Sequence, residues 1–169
     1  RKAFSLGLEI CGTGVRNDFT HADPAKRAES VQLVKNWINV SQKLGGQTVR
    51  IFSGTQKPEG HTRQEILEWM IADIRECIDY GTARGIVVAL QNHDDFVKTA
   101  EHTIEIMEAV KSPWYGLMLD IGSYRTADRY DEIARTIKYA VTWQIKEKVY
   151  IKGKETDVDA ERLMRLIKE

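Results

Sequence analysis

The sequence predicts an α/β fold in which parallel strands and helices alternate, as they do in a closed eight-stranded (β/α)8 barrel, here represented by about five βα units. Three observations point there. Short apolar runs alternate strictly with segments of helical period along the 169 residues, and strict alternation means parallel strands joined by helical crossovers. Each run has one aliphatic or aromatic face: Leu8 and Ile10, Val49 and Ile51, Val88 and Leu90, Leu119 and Ile121, Trp143 and Ile145. The opposite faces carry Glu9, Arg50, Gln91, His93, Asp120, Gln144 and Lys146. A doubly wound sheet needs two apolar faces, whereas a barrel turns one face of every strand toward an interior that opens on a mouth.

The elements follow in order. GLEICG at 7–12 reads as the first strand. Residues 28–44 put Val34, Trp37, Ile38, Ser41 and Leu44 on one helical face, and Gly45 and Gly46 stop that helix. TVRIF at 48–52 alternates as a strand, and SGTQKPEG after it is a loop. Thr62 and Glu65 form a capping box that opens a helix with Leu67, Met70, Ile71, Ile74 and Ile78 as its stripe before Gly81. IVVAL at 86–90 is a strand, 99–110 a helix, YGLMLDI at 115–121 a strand, 130–138 a short helix, AVTWQIK at 140–146 a strand and 157–168 the last helix. The basic run KEKVYIKGK, at 146–154, reads as a solvated loop. Glu9 and Arg50, inward on neighbouring strands, predict a buried ion pair. A complete barrel takes about 250 residues, so residues 1–169 are expected to be one domain, incomplete at both ends.

Composition narrows the function. With 42% apolar and 30% charged residues, the chain has the mixture of a globular domain. Its 25 basic and 25 acidic residues cancel, so no overall field steers it to nucleic acid or an anionic membrane. Small neutral or singly charged ligands are the expected partners. Cys11 and Cys77 have no CxxC companion and are expected as free thiols, without a disulfide framework or structural zinc. No apolar run approaches the roughly 20 residues that span a bilayer, which predicts a soluble chain. The compartment stays open, with the cytoplasm as default, because the sequence starts at Arg1. GTG at 12–14 lacks the third glycine and the helix start of a dinucleotide fingerprint. His21, His61 and His102 have no ligand-spaced partners.

The stretch VVALQNHDD, residues 87–95, runs an apolar strand directly into amides, an imidazole and carboxylates. In a barrel, strand ends converge on one mouth, so Gln91 and His93 would meet Asp120, Gln144 and Lys146 from the next two strands. Alone, each has a plainer explanation: Gln91 as a strand cap, His93 as a loop histidine, Lys146 paired with Glu147. Gathered on one face of adjacent strands, they predict a binding site.

The order GLEI, TVRIFSG, VALQNH, GLMLDIGS, WQIKE resembles the xylose-isomerase-like TIM barrels, the sugar phosphate isomerases and epimerases, over nearly the whole chain. The resemblance implies a partial TIM barrel holding the second to sixth strand units of eight, and a carbohydrate substrate at the mouth. It also implies a single divalent cation, Mn, Mg or Zn, held by an acid after the fourth strand, an aspartate after the fifth, a histidine after the sixth and a glutamate after the eighth. Carried over, the metal positions are Gln91, Asp120 and Gln144, and the last falls beyond Glu169. LQNH stands where the family often has LENH, and Gln144-Ile145-Lys146 where it often has HxK. An amide keeps an oxygen but removes a carboxylate's charge or an imidazole's nitrogen, so weak metal binding is expected. Ser123, three residues after the aspartate, Asn92 and Arg50 are candidate substrate contacts.

The leading expectation is an isomerase or epimerase that moves a proton next to a carbonyl, with Lys146 supplying positive charge and His93 exchanging protons. A ketopolyol dehydratase would share its first step. The alternative is a barrel whose metal site has decayed and which binds a carbohydrate or a protein partner. The phosphodiesterase of abasic-site repair, built on the same barrel, uses several histidine ligands, and Gln144 and the neutral charge argue against it. Five units leave open sheet edges, so a homo-oligomer is also compatible with the sequence.

Overall fold

The computed structural model describes residues 1–169 apart from residues 56, 94, 95, 125, 127 and 169; Asp94 and Asp95, which end the VVALQNHDD stretch, therefore lie outside the described residues. Among the described residues, five strands lie parallel and in chain order: β1 (Gly12–Gly14), β2 (Thr48–Ile51), β3 (Val87–Gln91), β4 (Tyr115–Asp120) and β5 (Ala140–Gln144). Between them run α2 (Pro24–Leu44), α3 (Arg63–Thr82), α4 (Ala100–Val110) and α5 (Arg129–Thr136), preceded by a single turn, α1 (Lys2–Ser5), and followed by α6 (Ala160–Lys168). The sequential order is that of a barrel wall, as the alternation predicts.

The first strand is displaced from its expected place at 7–12. Gly12 pairs with Thr48, where β2 begins, so residues before Cys11 run past the start of β2, the neighbour of β1 among the described residues. With no ladder to join, Leu8 stays 62% exposed and Glu9 is exposed. The expected Glu9–Arg50 ion pair is therefore corrected. Arg50 instead donates from Nη1 to the Val15 carbonyl at 2.9 Å and stacks on Phe52, 4.0 Å from its ring centroid. Gly14 permits that path, because a Cβ there would lie 2.9 Å from Arg50 Nη2.

Helix α2 begins earlier than expected because Asp23 caps it, accepting from the Ala25 N–H at 2.8 Å, with Pro24 in the first turn. Gly45, at φ 78°, closes its other end in the left-handed region. Its buried stripe is Val31, Val34, Ile38 and Ser41; Trp37 and Leu44 of the expected stripe sit at its margin, partly in solvent. Helix α3 opens on the expected capping box, with Thr62 and Glu65 each holding the other's backbone N–H. Val49, Ile51, Val88 and Leu90 are fully buried in one cluster with Val34, Ile38, Met70, Ile74 and Ile106 of the helices, and Leu117 and Leu119 in a second with Ile133 of α5 and Leu163 of α6, so the helices cover the aliphatic strand faces. At the far edge Ile145 lies beyond the end of β5 and is 60% exposed, against its expected place on the covered face.

The run expected as a loop at 146–154 is a hairpin. β6 (Lys148–Ile151) pairs antiparallel with β7 (Lys154–Asp157) in a separate two-stranded sheet. Its connection is Lys152 and Gly153, both left-handed at φ 48° and 75°, the conformation that matches the twist of a two-residue hairpin. Val149 is fully buried with Tyr130, Ile133 and Leu163, which anchors the hairpin over α5 and α6. The last helix consequently starts at Ala160 rather than 157. Among the described residues, no helix is long and apolar enough to cross a membrane.

Candidate functional site

Asp120 ends β4, and its side chain has no exposed surface. Such a carboxylate must be met by donors. Its Oδ2 accepts from Gln91 Nε2 at 2.8 Å and Ser123 Oγ at 2.8 Å, and lies 2.9 Å from Lys146 Nζ. Its Oδ1 accepts from the Gly122 N–H at 2.9 Å, a local turn of the Asp-x-Gly kind. Gln91 Nε2 also donates to Gln144 Oε1 at 3.1 Å. Asp120 and Gln144 are register partners on β4 and β5, which explains why ends of three adjacent strands meet at one carboxylate.

The structure thus brings together Gln91, Asp120, Ser123, Gln144 and Lys146. Lys146 pairs with Asp120, not with Glu147. Asn92, expected as a substrate contact, bonds the backbone of Asp120. It is fully buried, donates from Nδ2 to the Asp120 carbonyl at 2.9 Å and accepts from the Asp120 N–H at 2.7 Å. Both ends of its amide are thereby used to hold the backbone at Asp120. Ser123, buried, spends its hydroxyl on the carboxylate. Arg50, Met118, Thr142 and Gln144 line a cavity of about 240 Å³ on the concave face. His93 meets Phe52 edge-on at 5.1 Å and lines a separate, larger cavity of about 550 Å³ with Arg16, Asn17 and His21.

Gly122 was not singled out by the sequence. A Cβ at this position would lie 2.5 Å from Lys146 Cδ, so the glycine leaves the path along which the lysine stem reaches Asp120. Beneath it the fully buried Arg129 donates from Nη1 to the Gly122 carbonyl at 2.9 Å, with its guanidinium 5.4 Å from the Tyr150 ring of the hairpin. The spacing D-x-G-S was a legible signal for the turn. The hairpin's support of it was not.

A second carboxylate also went unremarked. Asp18 Oδ1 accepts from the Thr20 N–H at 2.8 Å and Thr20 Oγ1 at 2.7 Å, and Oδ2 from the Thr55 N–H at 3.2 Å and Thr55 Oγ1 at 2.9 Å. Burial raises its pKa, but these hydrogen bonds outweigh burial and hold the carboxyl below its ordinary value. Only neutral donors are involved in these four bonds.

The donor set does not suit a divalent cation. Carboxylate oxygens can only accept, so Gln91 must present its NH₂ to Asp120 and not its carbonyl. Gln144 Oε1 is in turn turned toward that NH₂. Among the described residues, no group of three or more His, Cys, Asp or Glu is placed to hold a metal. Gln91, Asp120 and Gln144, the expected metal positions, form a hydrogen-bonded chain closed by the Lys146 ammonium.

A family model described as xylose isomerase-like TIM barrel matches residues 1–165. No curated protein matches the sequence. Among solved structures, the chain is similar to a D-tagatose 3-epimerase-like protein, with a TM-score of 0.82 and 17% identity, covering 99% of this chain and 68% of that one. It is similar to an L-ribulose 3-epimerase at TM-score 0.77 and 20% identity, covering 99% of this chain and 60% of that one. It also resembles the IolI protein with a bound zinc atom, at TM-score 0.70 and 19% identity, covering 93% of this chain and 62% of that one. The chain spans about two-thirds or less of each of the last two structures.

Proposed function

Because the chain belongs to the xylose isomerase-like TIM-barrel family, we propose that it forms the central part of a sugar isomerase or epimerase that moves a proton beside a carbonyl at the strand-end mouth. Neighbours named as an L-ribulose 3-epimerase and a D-tagatose 3-epimerase-like protein support a sugar as the substrate class. The observation that carries the proposal is the convergence of Gln91, Asp120, Gln144 and Lys146 from three strand ends beside a concave cavity. Amides and an ammonium suit hydroxyl and carbonyl oxygens. Lys146 supplies positive charge to the oxygen of the enediolate, where charge develops. Asp120 fixes Lys146 and Gln91. His93 lines the separate cavity of about 550 Å³ and is assigned no step at this mouth. Gln91 cannot ionise, so the acid that the resemblance implies after the fourth strand is an amide in this chain.

Incubation of the intact protein with keto-sugars in heavy water tests this reading. Deuterium should enter the carbon beside the carbonyl even when no net product accumulates. Sugar binding with no exchange would replace the epimerase by a carbohydrate-binding barrel.

A further inference from the structure

We infer that Lys146 is the resident cation of this site: its ammonium holds the place on Asp120 that a divalent metal would need, and the carbonyl and hydroxyl oxygens of the substrate bond to the ammonium instead. The part about the substrate rests on the proposed sugar chemistry; the exclusion of metal stands on geometry alone.

Three features support it. Oδ2 of Asp120 meets three donors, from Gln91, Ser123 and Lys146, each presenting a positive hydrogen. A cation on that oxygen would compete with all three. Gln91 and Gln144 also bond to each other, so binding through the Gln144 carbonyl would break a further hydrogen bond. Next, the path is built: the absent Cβ of Gly122 makes room for the Lys146 stem, and the buried Arg129 holds Gly122 in place through its carbonyl. Finally, Lys146 is not spent on the pair. Its side chain is 39% exposed while that of Asp120 is sealed. An ammonium has three N–H bonds, and with one directed to Asp120 the others remain to reach a substrate oxygen. A lysine so placed gives one unit of positive charge where a metal gives two. It supplies that charge without recruitment of an ion.

The test is Mn²⁺ added to the chelator-treated intact protein. Free Mn²⁺ is followed by electron paramagnetic resonance, and paramagnetic broadening is read on the Gln91 side-chain amide and the Gly122 N–H by nuclear magnetic resonance. The wild type is expected to leave Mn²⁺ free and both signals sharp at millimolar metal. Gln91→Glu combined with Lys146→Met should tighten Mn²⁺ binding on the order of 100-fold, because a carboxylate is added and the competing ammonium removed. Lys146→Arg, which keeps the charge, should stay as metal-free as the wild type. Should the double variant not fold, the wild-type signals still decide: selective broadening of Gln91 and Gly122 at substoichiometric Mn²⁺ overturns the inference. Isotope exchange that persists in chelator supports it. Exchange that appears only with added Mn²⁺ overturns it and leaves the epimerase reading intact. No exchange in either condition, with Mn²⁺ still excluded, overturns the epimerase reading and leaves the resident cation standing.

Discussion

Two aspartates beside the strand ends, Asp18 and Asp120, are both removed from much of the solvent and both accept from several donors, yet their partners differ in kind. Asp18 is met in its four bonds by the backbone and hydroxyls of Thr20 and Thr55, which tie the loop after β1 to the loop after β2. Neutral donors of this sort hold a chain path. Asp120 is met by an ammonium, a side-chain amide, a hydroxyl and one backbone N–H drawn from β3, β5's end and its own turn. Here a long side chain is held in a fixed geometry with its head still partly in water. Burial of a carboxylate is therefore no guide to its role; the charge and reach of what meets it are.

The largest effect separating the two should be on chemistry. Asp120→Asn is expected to reduce solvent isotope exchange to background, because Lys146 loses its anchor. Lys146→Met should slow exchange by about 10² to 10⁴, the worth of one positioned charge or proton-transfer group. Asp18→Asn should leave exchange unchanged in the same assay. Equal losses at both aspartates would dissolve the distinction.

Stability should show the reverse emphasis at Asp18. Asp18→Ala removes the acceptor shared by the N–H and hydroxyl donors of Thr20 and Thr55, at a cost of about 0.5–1.5 kcal/mol in urea unfolding. The pH dependence follows the depressed folded pKa. Asp18 contributes stability above its unfolded value near 3.8, and that contribution is lost as pH falls through the lower folded value. The wild type should therefore lose urea resistance more steeply than Asp18→Asn in that acid range. A parallel decline in the two proteins would remove the hydrogen-bond account.

The smallest effect concerns reactivity at the two cysteines, one near the concave cavity and one in the core. Cys11 is exposed, whereas Cys77 is buried and its thiol is pushed up to about 12 by burial first and then by Glu76. A thiol reagent should modify Cys11 in the native protein and Cys77 only on unfolding. Release of both thiols at one rate would indicate that the α3 core opens readily.

The sequence alone determined the elements whose cause is local. Val88 and Leu90 against Gln91, or Val49 and Ile51 against Arg50, alternate with the period of a strand, and Thr62 with Glu65 forms its box within a single turn. Such patterns need no knowledge of distant residues, so the parallel five-strand order and the gathering of Gln91, Asp120 and Gln144 were legible. The hairpin was nearly so, since Lys152 and Gly153 between VYI and KETD carry its turn, but a basic run concealed it. Other facts were decided by tertiary structure. Where β1 begins depends on where β2 offers a partner. Whether Asn92 faces substrate or clamps Asp120 depends on a backbone 28 positions away. Lys146 could have paired with Glu147 by proximity in sequence. It reaches Asp120 because a missing Cβ at Gly122 opens its path, and because a sealed carboxylate attracts an ammonium more strongly than an exposed one surrounded by water.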